Sequence, residues 1–197
     1  MELPPTHASC PLGIQREWVV ENTTEARALA EVVRCPGESF SVSWKGDVVV
    51  VETILVAHGT ILNITSEVSS AIIGEGETRL FTMVNASLHL RNVVMSNGNA
   101  IYGGAVAASR SRLNFERVTF DGNSATRGGA LSLSEGTIAS FGEEVVFLNN
   151  TAVHGGAVHV TGGSNVSWTG QTIFLENTAT SGYGGALYVA NGSSVFG

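Results

Sequence analysis

The chain has 197 residues, a hydrophobic content of 43% and a mean hydropathy of +0.20, which suits one folded domain with a sizeable core and excludes a disordered polymer. Its net charge is −7 and its ten Lys and Arg residues are scattered singly, so nucleic acid is excluded as the expected partner. No apolar run reaches the roughly 18–20 residues of a membrane-spanning helix, so no transmembrane segment is predicted.

An amphipathic helix is the first predicted element. The segment Asn22-Thr-Thr-Glu25 resembles a capping box, and apolar residues follow at helical spacing up to Val33, before Cys35-Pro-Gly37. The helix is predicted over residues 23–34, within an N-terminal cap of residues 1–39. A helix in this place can cover the open edge of the sheet that follows.

Cys10 and Cys35 bracket the predicted helix. A disulfide between them would close the cap and contribute about 2–4 kcal/mol, and two free buried thiols are the alternative. Six Asn-x-Ser/Thr sequons point to the same oxidising compartment, although Ser, Thr and Asn are also common in the turns of β-helices. Asn22 carries one sequon, but a glycan there would compete with helix capping. The predicted glycosylation sites are therefore Asn63, Asn85, Asn149, Asn165 and Asn191.

Residues 40–91 are predicted to form irregular first coils. They lack a repeated glycine motif but keep runs of β-branched and aromatic residues, which favour strands. The predicted strands cover residues 40–44, 48–54, 60–64, 70–73 and 79–84.

Residues 92–197 contain a regular repeat. Gly-Gly-Ala followed by an aliphatic residue begins at Gly103, Gly128, Gly155 and Gly184, with spacings of 25, 27 and 29 residues. A period in this range marks a solenoid, whose units bury their apolar faces only against neighbouring units. Each glycine pair allows the positive φ of a sharp corner and lets the backbones of adjacent coils approach closely.

A second motif, Phe-x-x-Asn, runs in phase with the glycine pairs. The phenylalanines are expected to fill the interior, while the asparagine amides are expected to form hydrogen bonds from coil to coil and to the turn backbone. Both ladders are interpreted as structural. The phenylalanine ladder is Phe120, Phe147 and Phe174, and the asparagine ladder is Asn123, Asn150 and Asn177, with Asn97 in a degenerate first copy.

The residues after each Gly-Gly-Ala alternate with a period of two. The fourth and sixth positions of the repeat are always apolar, which indicates a strand with one face inward and one outward. Two more short strands in each repeat give about three strands and three turns per coil, with coils stacked about 4.8 Å apart. The fifth, outward position reads Ala107, Ser132, His159 and Tyr188, and the last three form a candidate binding face.

These patterns together predict an all-β fold, a right-handed parallel β-helix (solenoid) with a short N-terminal capping helix. The segment Val195-Phe-Gly197 stops in mid-coil without a polar cap, so the repeat region is predicted to be truncated at its C-terminus, with further coils in the full-length protein.

The paired Gly-Gly-Ala-aliphatic and Phe-x-x-Asn repeats resemble those of the chlamydial polymorphic outer-membrane proteins. The resemblance covers about residues 92–197 and rests on four phased copies of a double motif. It implies a right-handed β-helix of the pectin lyase-like superfamily, exposed outside the cell and used in adhesion or as surface architecture.

Candidate catalytic residues are sparse. Asp47 and Asp121 are the only aspartates, and the adjacent pair Glu143 and Glu144 would point to opposite faces of a strand, whereas glycosidases need two placed carboxylates. A His159–Tyr188 pair could serve acid–base chemistry, but a solenoid surface is the simpler interpretation. No metal-ligand motif appears, so neither a metal nor a cofactor is predicted.

Two functions of different classes follow from these observations. The first is a non-catalytic extracellular or cell-surface scaffold or adhesion module that binds a protein or polysaccharide partner through its outward ladders. The second is a carbohydrate-active β-helix, of the lyase or epimerase type, whose catalytic coils lie outside this segment. The fold alone does not decide between them.

Overall fold

The computed structural model describes residues 16–197. Its first part contains one helix and seven strands, which correspond to the cap and the irregular coils. They are β1 (Glu17–Val20), α1 (Thr23–Val32), β2 (Ser39–Trp44), β3 (Val48–Val50), β4 (Ile54–Ala57), β5 (Ile61–Gly74), β6 (Phe81–Val84) and β7 (Ser87–Ser96).

The second part follows the repeats, with short strands separated by turns. Its strands are β8 (Asn99–Tyr102), β9 (Val106–Ser109), β10 (Arg112–Asp121), β11 (Ser124–Arg127), β12 (Leu131–Ser134), β13 (Ile138–Phe141), β14 (Val145–Leu148), β15 (Thr151–His154), β16 (Val158–Val160), β17 (Asn165–Trp168), β18 (Thr172–Leu175), β19 (Thr178–Ala179), β20 (Leu187–Val189) and β21 (Ser194–Phe196).

Three parallel sheets make up the solenoid. The first sheet runs β1-β2-β5-β7-β10-β13-β17-β21, with β3, β14 and β18 joined to it; the second runs β4-β6-β9-β12-β16-β20, and the third runs β8-β11-β15-β19. Each strand of the repeat region pairs with its counterpart one coil later, as β12 does with β16. The predicted parallel β-solenoid of about three strands per coil is therefore confirmed.

Helix α1 begins at the predicted capping box. Asn22 accepts a hydrogen bond from the Glu25 amide at 3.1 Å, and the Glu25 carboxylate accepts one from the Glu21 amide at 2.6 Å. The helix ends at Val32, two residues before the predicted end. Residues 33 and 34 form a turn instead, in which the Cys35 amide donates to the Val32 carbonyl oxygen at 3.0 Å.

The irregular coils differ from prediction in two places. The predicted segments 60–64 and 70–73 belong to one strand, β5, whose pairing with β7 shifts register between Thr65 and Ser70. The predicted segment 48–54 is divided between β3 and β4. A bulge keeps the strand direction while breaking the alternation, so it is hard to recognise in a sequence.

The phenylalanine ladder fills the interior as expected. The ring of Phe147 lies 4.9 Å from that of Phe120 and 4.8 Å from that of Phe174, with both pairs nearly parallel at 7°. Phe120 and Phe147 have no solvent exposure, and Phe174 is partly buried against the same core. Stacked rings therefore tie each coil to the next at its centre.

The glycine pairs form the corner between the third and second sheets. The first glycine has a positive φ in every copy: 55° at Gly103, 62° at Gly128, 60° at Gly155 and 72° at Gly184. The second glycine allows close packing, because a Cβ on Gly129 would lie 2.3 Å from the carbonyl oxygen of Gly156 in the next coil.

The asparagine ladder is continuous over three coils. The Asn150 side-chain oxygen accepts from the Asn123 side-chain amide at 3.0 Å, and the Asn150 side-chain amide donates to Asn177 at 2.9 Å. Asn97 does not belong to this ladder, so that part of the prediction is wrong. Met95 pairs with Phe120, which puts Gly98 opposite Asn123 and leaves Asn97 exposed, one residue too early, with φ 56°.

The predicted covalent modifications are only partly covered by the structure. Cys35 is 6% exposed, and Cys10 lies outside the described residues, so the disulfide stays a prediction. Glycosylation stays a prediction as well. Asn85, Asn149 and Asn191 are exposed, whereas Asn63 and Asn165 are partly buried.

Within residues 16–197, no helix has both the length and the apolar character to cross a bilayer.

Candidate functional site

The predicted outward row lies in register on the second sheet. Ser132 pairs with Ala107 on one side and with His159 on the other, and His159 pairs with Tyr188. Thr82 of β6 extends the row by one strand, since it pairs with Ala107. The structure therefore brings the predicted binding-face residues together.

The row is not the open face that the alternation predicts. Ser132 is only 6% exposed and His159 only 7%. The ring of Tyr188 stacks on that of His159, with centroids 5.1 Å apart and planes at 16°. Side chains of the third sheet, Tyr102 and Arg127, border the same cavity as Ser132 and His159. The row is thus the floor of a groove, because the chain turns a sharp corner just before it.

The wall of the groove includes the residues that precede the first two glycine pairs, Tyr102 and Arg127. Tyr102, Arg127 and His154 are in register on the third sheet, and Tyr183 occupies the same position before Gly184. We call the resulting cavity, of about 280 Å³, the corner groove. It is lined by Arg79, Thr82, Tyr102, Ala107, Arg127, Ser132 and His159, among others.

Four rings form an aromatic cluster that includes His159, which lines the corner groove. Besides the stack on His159, Tyr188 lies 5.9 Å from His154 and 6.4 Å from Tyr183, and His154 lies 6.0 Å from Tyr183. Tyr183 is 71% exposed, so its ring is available to a ligand. The aromatic cluster consists of His154, His159, Tyr183 and Tyr188.

Two arginines form the cationic part of the corner groove. Arg79 donates from Nε to the carbonyl oxygens of Tyr102 and Gly103 at 2.9 and 3.1 Å, and from Nη1 to the Thr82 hydroxyl at 2.9 Å. Arg127 lies over the Tyr102 ring and donates from Nη1 to its hydroxyl at 3.0 Å. Burial lowers the pKa of Arg79.

His159 has an unusual environment. Its Nδ1 is buried and has no hydrogen-bond partner in the part of the chain that the structure describes. Burial, followed by the positive charge of Arg127 and by His154, lowers the pKa of His159 to about 4. The imidazole is therefore neutral at neutral and mildly acidic pH.

This environment predicts an acid-sensitive contribution to stability. Unfolding returns His159 to a pKa near 6.5, so the unfolded chain binds a proton that the folded protein does not bind between pH 6.5 and 4. We expect the stabilisation to be complete above pH 6.5 and to decrease by up to about 3 kcal/mol as the pH falls to 4. Urea unfolding curves from pH 7 to 4 measure this decrease.

Two variants isolate the contribution of His159. His159→Gln should flatten the pH dependence between 6.5 and 4, because it removes the titrating ring. His89→Gln changes an exposed histidine of the first sheet and should leave the pH dependence unchanged. Equal slopes for the wild type and His159→Gln would contradict the assignment.

The acidic residues considered from the sequence lie away from the corner groove. Asp47 accepts a hydrogen bond from the Ala71 amide at 2.9 Å, Asp121 accepts one from Asn149, and Glu143 pairs with Arg117. The described lining of the corner groove contains no carboxylate. Among residues 16–197, no three His, Cys, Asp or Glu side chains are grouped to hold a metal ion.

Sequence reasoning missed the wall of the groove. Arg79, Tyr102, Arg127 and Tyr183 were not singled out, although three of them precede a glycine pair and therefore form a ladder that the sequence displays. Attention to the residue before each glycine pair would have found Tyr102, Arg127 and Tyr183, but not Arg79.

Comparison with protein families matches three segments, residues 117–134, 144–161 and 171–190, to the Chlamydia polymorphic membrane protein (Chlamydia_PMP) repeat. Each segment contains one Phe-x-x-Asn motif and one Gly-Gly-Ala motif. No curated protein and no solved structure matches the chain. The matched segments contribute Arg127, Ser132 and His159 to the corner groove, and all four rings of the aromatic cluster.

Proposed function

For this chain, a Pmp-like parallel β-solenoid that carries repeats of the Chlamydia polymorphic membrane protein type, we propose a role outside the cell or at its surface. There it acts as a non-catalytic scaffold or adhesion module that binds a glycan or protein partner. The repeat takes its name from membrane proteins, and the predicted disulfide and sequons support the same location.

The corner groove with its aromatic cluster is the observation that carries this proposal. Sugars have apolar ring faces that pack against aromatic side chains, and hydroxyl groups that bond to polar ones. The aromatic cluster supplies exposed ring surface at Tyr183, and the corner groove supplies hydrogen-bond donors from Arg79 and Arg127. A glycan is therefore the partner that this site suits best.

Three architectural features belong to the proposal. The solenoid is right-handed, since crossover connections between parallel strands are right-handed in the great majority of proteins. Helix α1 caps the core, because its buried residues Ala26, Leu29 and Ala30 face the first strands. The chain is divided into a cap of residues 1–39, irregular coils of residues 40–91 and regular repeats of residues 92–197.

A binding assay tests the proposal. The secreted protein is immobilised and exposed to a panel of neutral and acidic oligosaccharides, with binding measured by interferometry. We expect at least one glycan to bind, and we expect Tyr183→Ala to weaken that binding tenfold or more, because the variant removes exposed ring surface without opening the core.

Phe196→Ala is the matched control, since it removes a 54% exposed aromatic ring from the first sheet, away from the groove. It should bind within twofold of the wild type. Absence of glycan binding, or equal losses in the two variants, would contradict glycan binding in the corner groove.

The second function, a carbohydrate-active β-helix, is favoured by one observation. A neutral histidine and an arginine line one groove, with a tyrosine stacked on the histidine; such groups can remove a proton from a uronate ring and neutralise the charge of its carboxylate. Incubation with uronate-rich and neutral polysaccharides, followed by NMR of the products, tests for cleaved, unsaturated or epimerised units. Turnover that His159→Ala abolishes would overturn the non-catalytic role.

The covalent part of the proposal has its own test. We propose a Cys10–Cys35 disulfide and glycans on Asn63, Asn85, Asn149, Asn165 and Asn191. Peptide mass spectrometry of the secreted protein, without reduction and after enzymatic deglycosylation, should find the linked cysteine peptides and the converted asparagines. Alkylated Cys35 in the unreduced sample would contradict the disulfide.

A further inference from the structure

We propose that the corner groove binds an acidic saccharide, with the carboxylate of one sugar unit held by the guanidinium of Arg127. This inference rests on the proposed glycan-binding function and names the class of glycan. It follows from the charges, the free hydrogen-bonding groups and the dimensions of the groove.

Four arginines form no ion pair in the described chain, and two of them, Arg79 and Arg127, line the corner groove, whereas Arg27 lies on α1 and Arg112 on the first sheet. The cations at positions 16, 34, 45, 91, 110 and 117 each pair with a glutamate. Within the described residues, Arg79 and Arg127 have no carboxylate within 4.0 Å, and both line the groove. In a protein with 17 acidic and ten basic residues, two unpaired arginines in one acid-free cavity favour an anionic ligand.

Arg127 is oriented to receive a carboxylate. Its guanidinium has five N–H donors, of which the Tyr102 hydroxyl takes one. The remaining donors include the pairs that bind both oxygens of a carboxylate in a fork, which a point charge cannot do. The contact with the Tyr102 ring holds the guanidinium plane in place.

Two polar side chains lie on the floor of the corner groove. His159 Nδ1 is a buried nitrogen without a partner among residues 16–197, and only 7% of the residue is exposed. The neighbouring Ser132 is 6% exposed and lines the same cavity. A buried polar atom left without a partner is unfavourable, so the floor carries an unsatisfied hydrogen-bonding atom next to the cavity.

The size of the groove suits sugar units rather than a large ligand. Its volume of about 280 Å³ is near the lower end of the range for small-molecule sites, about 300–1,000 Å³. The floor crosses four strands of the second sheet, from β6 to β16, which span roughly 14 Å at about 4.8 Å per step. An acidic oligosaccharide can therefore lie along the solenoid axis, with one unit beside Arg127 and another against the aromatic cluster.

Calorimetric titration tests the inference with three oligosaccharides of equal length. The first is a hexuronate, the second is the corresponding neutral hexose, and the third is the same hexose carrying sulfate groups. We expect the hexuronate to bind at least tenfold more tightly than the other two. Arg127→Ala should weaken hexuronate binding tenfold or more, and Arg127→Lys should restore only part of it, because lysine keeps the charge but loses the fork.

Arg112→Ala is the matched control. Arg112 is also exposed and without an ion pair in the described chain, but it lies on the first sheet, so its loss should change hexuronate binding by less than twofold. Equal binding of the sulfated probe, or full rescue by Arg127→Lys, would overturn the carboxylate assignment.

The outcome also separates this inference from the proposed function. If the neutral probe binds as tightly as the hexuronate and Tyr183→Ala weakens it, the glycan-binding function stands and the acidic ligand is wrong. If none of the three probes binds, the acidic ligand is wrong, and the glycan panel then decides the proposed function.

Discussion

Substitution of Gly129 by alanine is expected to remove at least about 4 kcal/mol of folding free energy, enough to unfold much of the population. The new Cβ would lie 2.3 Å from the Gly156 carbonyl oxygen and 2.8 Å from the amide nitrogen and carbonyl oxygen of Thr151. All three atoms belong to the backbone of the next coil, so none can rotate away. The steric clash can be relieved only if the two coils separate, which breaks hydrogen bonds such as that from the Ala130 amide to the Ala157 carbonyl oxygen. Urea unfolding followed by circular dichroism measures the loss.

Gly122→Ala is the control for Gly129→Ala. Gly122 has a φ of 62°, and within the described chain no atom beyond its two chain neighbours lies within 4 Å of the place that a Cβ would take. Only the left-handed conformation is therefore penalised, at about 1–2 kcal/mol. If Gly129→Ala costs no more than Gly122→Ala, close approach of the coils is not what the second glycine of each pair provides.

Asn150→Ala is expected to destabilise the protein by about 3–5 kcal/mol. The side chain has no solvent exposure and forms four hydrogen bonds: from the Asn123 backbone and side-chain amides at 3.0 Å each, and to Phe120 and Asn177 at 2.9 Å each. Alanine would leave the Asn123 amides and the Phe120 carbonyl in the buried interior without these hydrogen-bond partners. Thermal and urea unfolding should both report the loss.

Asn97→Gly is the comparison variant, because Asn97 stands in the degenerate first copy of the Phe-x-x-Asn motif but outside the asparagine ladder. Asn97 is exposed, has a left-handed φ of 56° that glycine adopts freely, and makes one side-chain bond, to Gly74 at 2.8 Å. We expect a loss of about 1 kcal/mol or less. A comparable loss at Asn97 and Asn150 would mean that burial in the asparagine ladder adds little.

The repeated core was predictable because its causes are local. The glycine corner, the inward phenylalanines and the amide ladder each need one residue type at one position, and that need returns in every coil, so it appears as a period in the sequence. Asn97 shows the limit of such reasoning. Only the pairing of Met95 with Phe120 reveals that Gly98, and not Asn97, is the counterpart of Asn123.

The candidate site was only half predictable because it joins two sheets. Alternation along β16 correctly placed His159 beside Ser132 and Tyr188, since these are neighbours in register. It could not show that His159 is buried, because Tyr102 and Arg127 reach the same cavity from across the corner. The angle at that corner depends on the packing of whole coils, which a single strand does not encode.

The in-register ladders of phenylalanine and asparagine affect how such a protein can evolve. Duplication of one unit of 27 residues, the interval from Phe120 to Phe147, would insert a coil whose neighbours above and below offer the same partners as before. The insertion would lengthen the row of side chains that lines the corner groove by about 4.8 Å. Recombination between repeats can therefore vary the length of this row in fixed increments, while each new coil arrives already matched to the old ones.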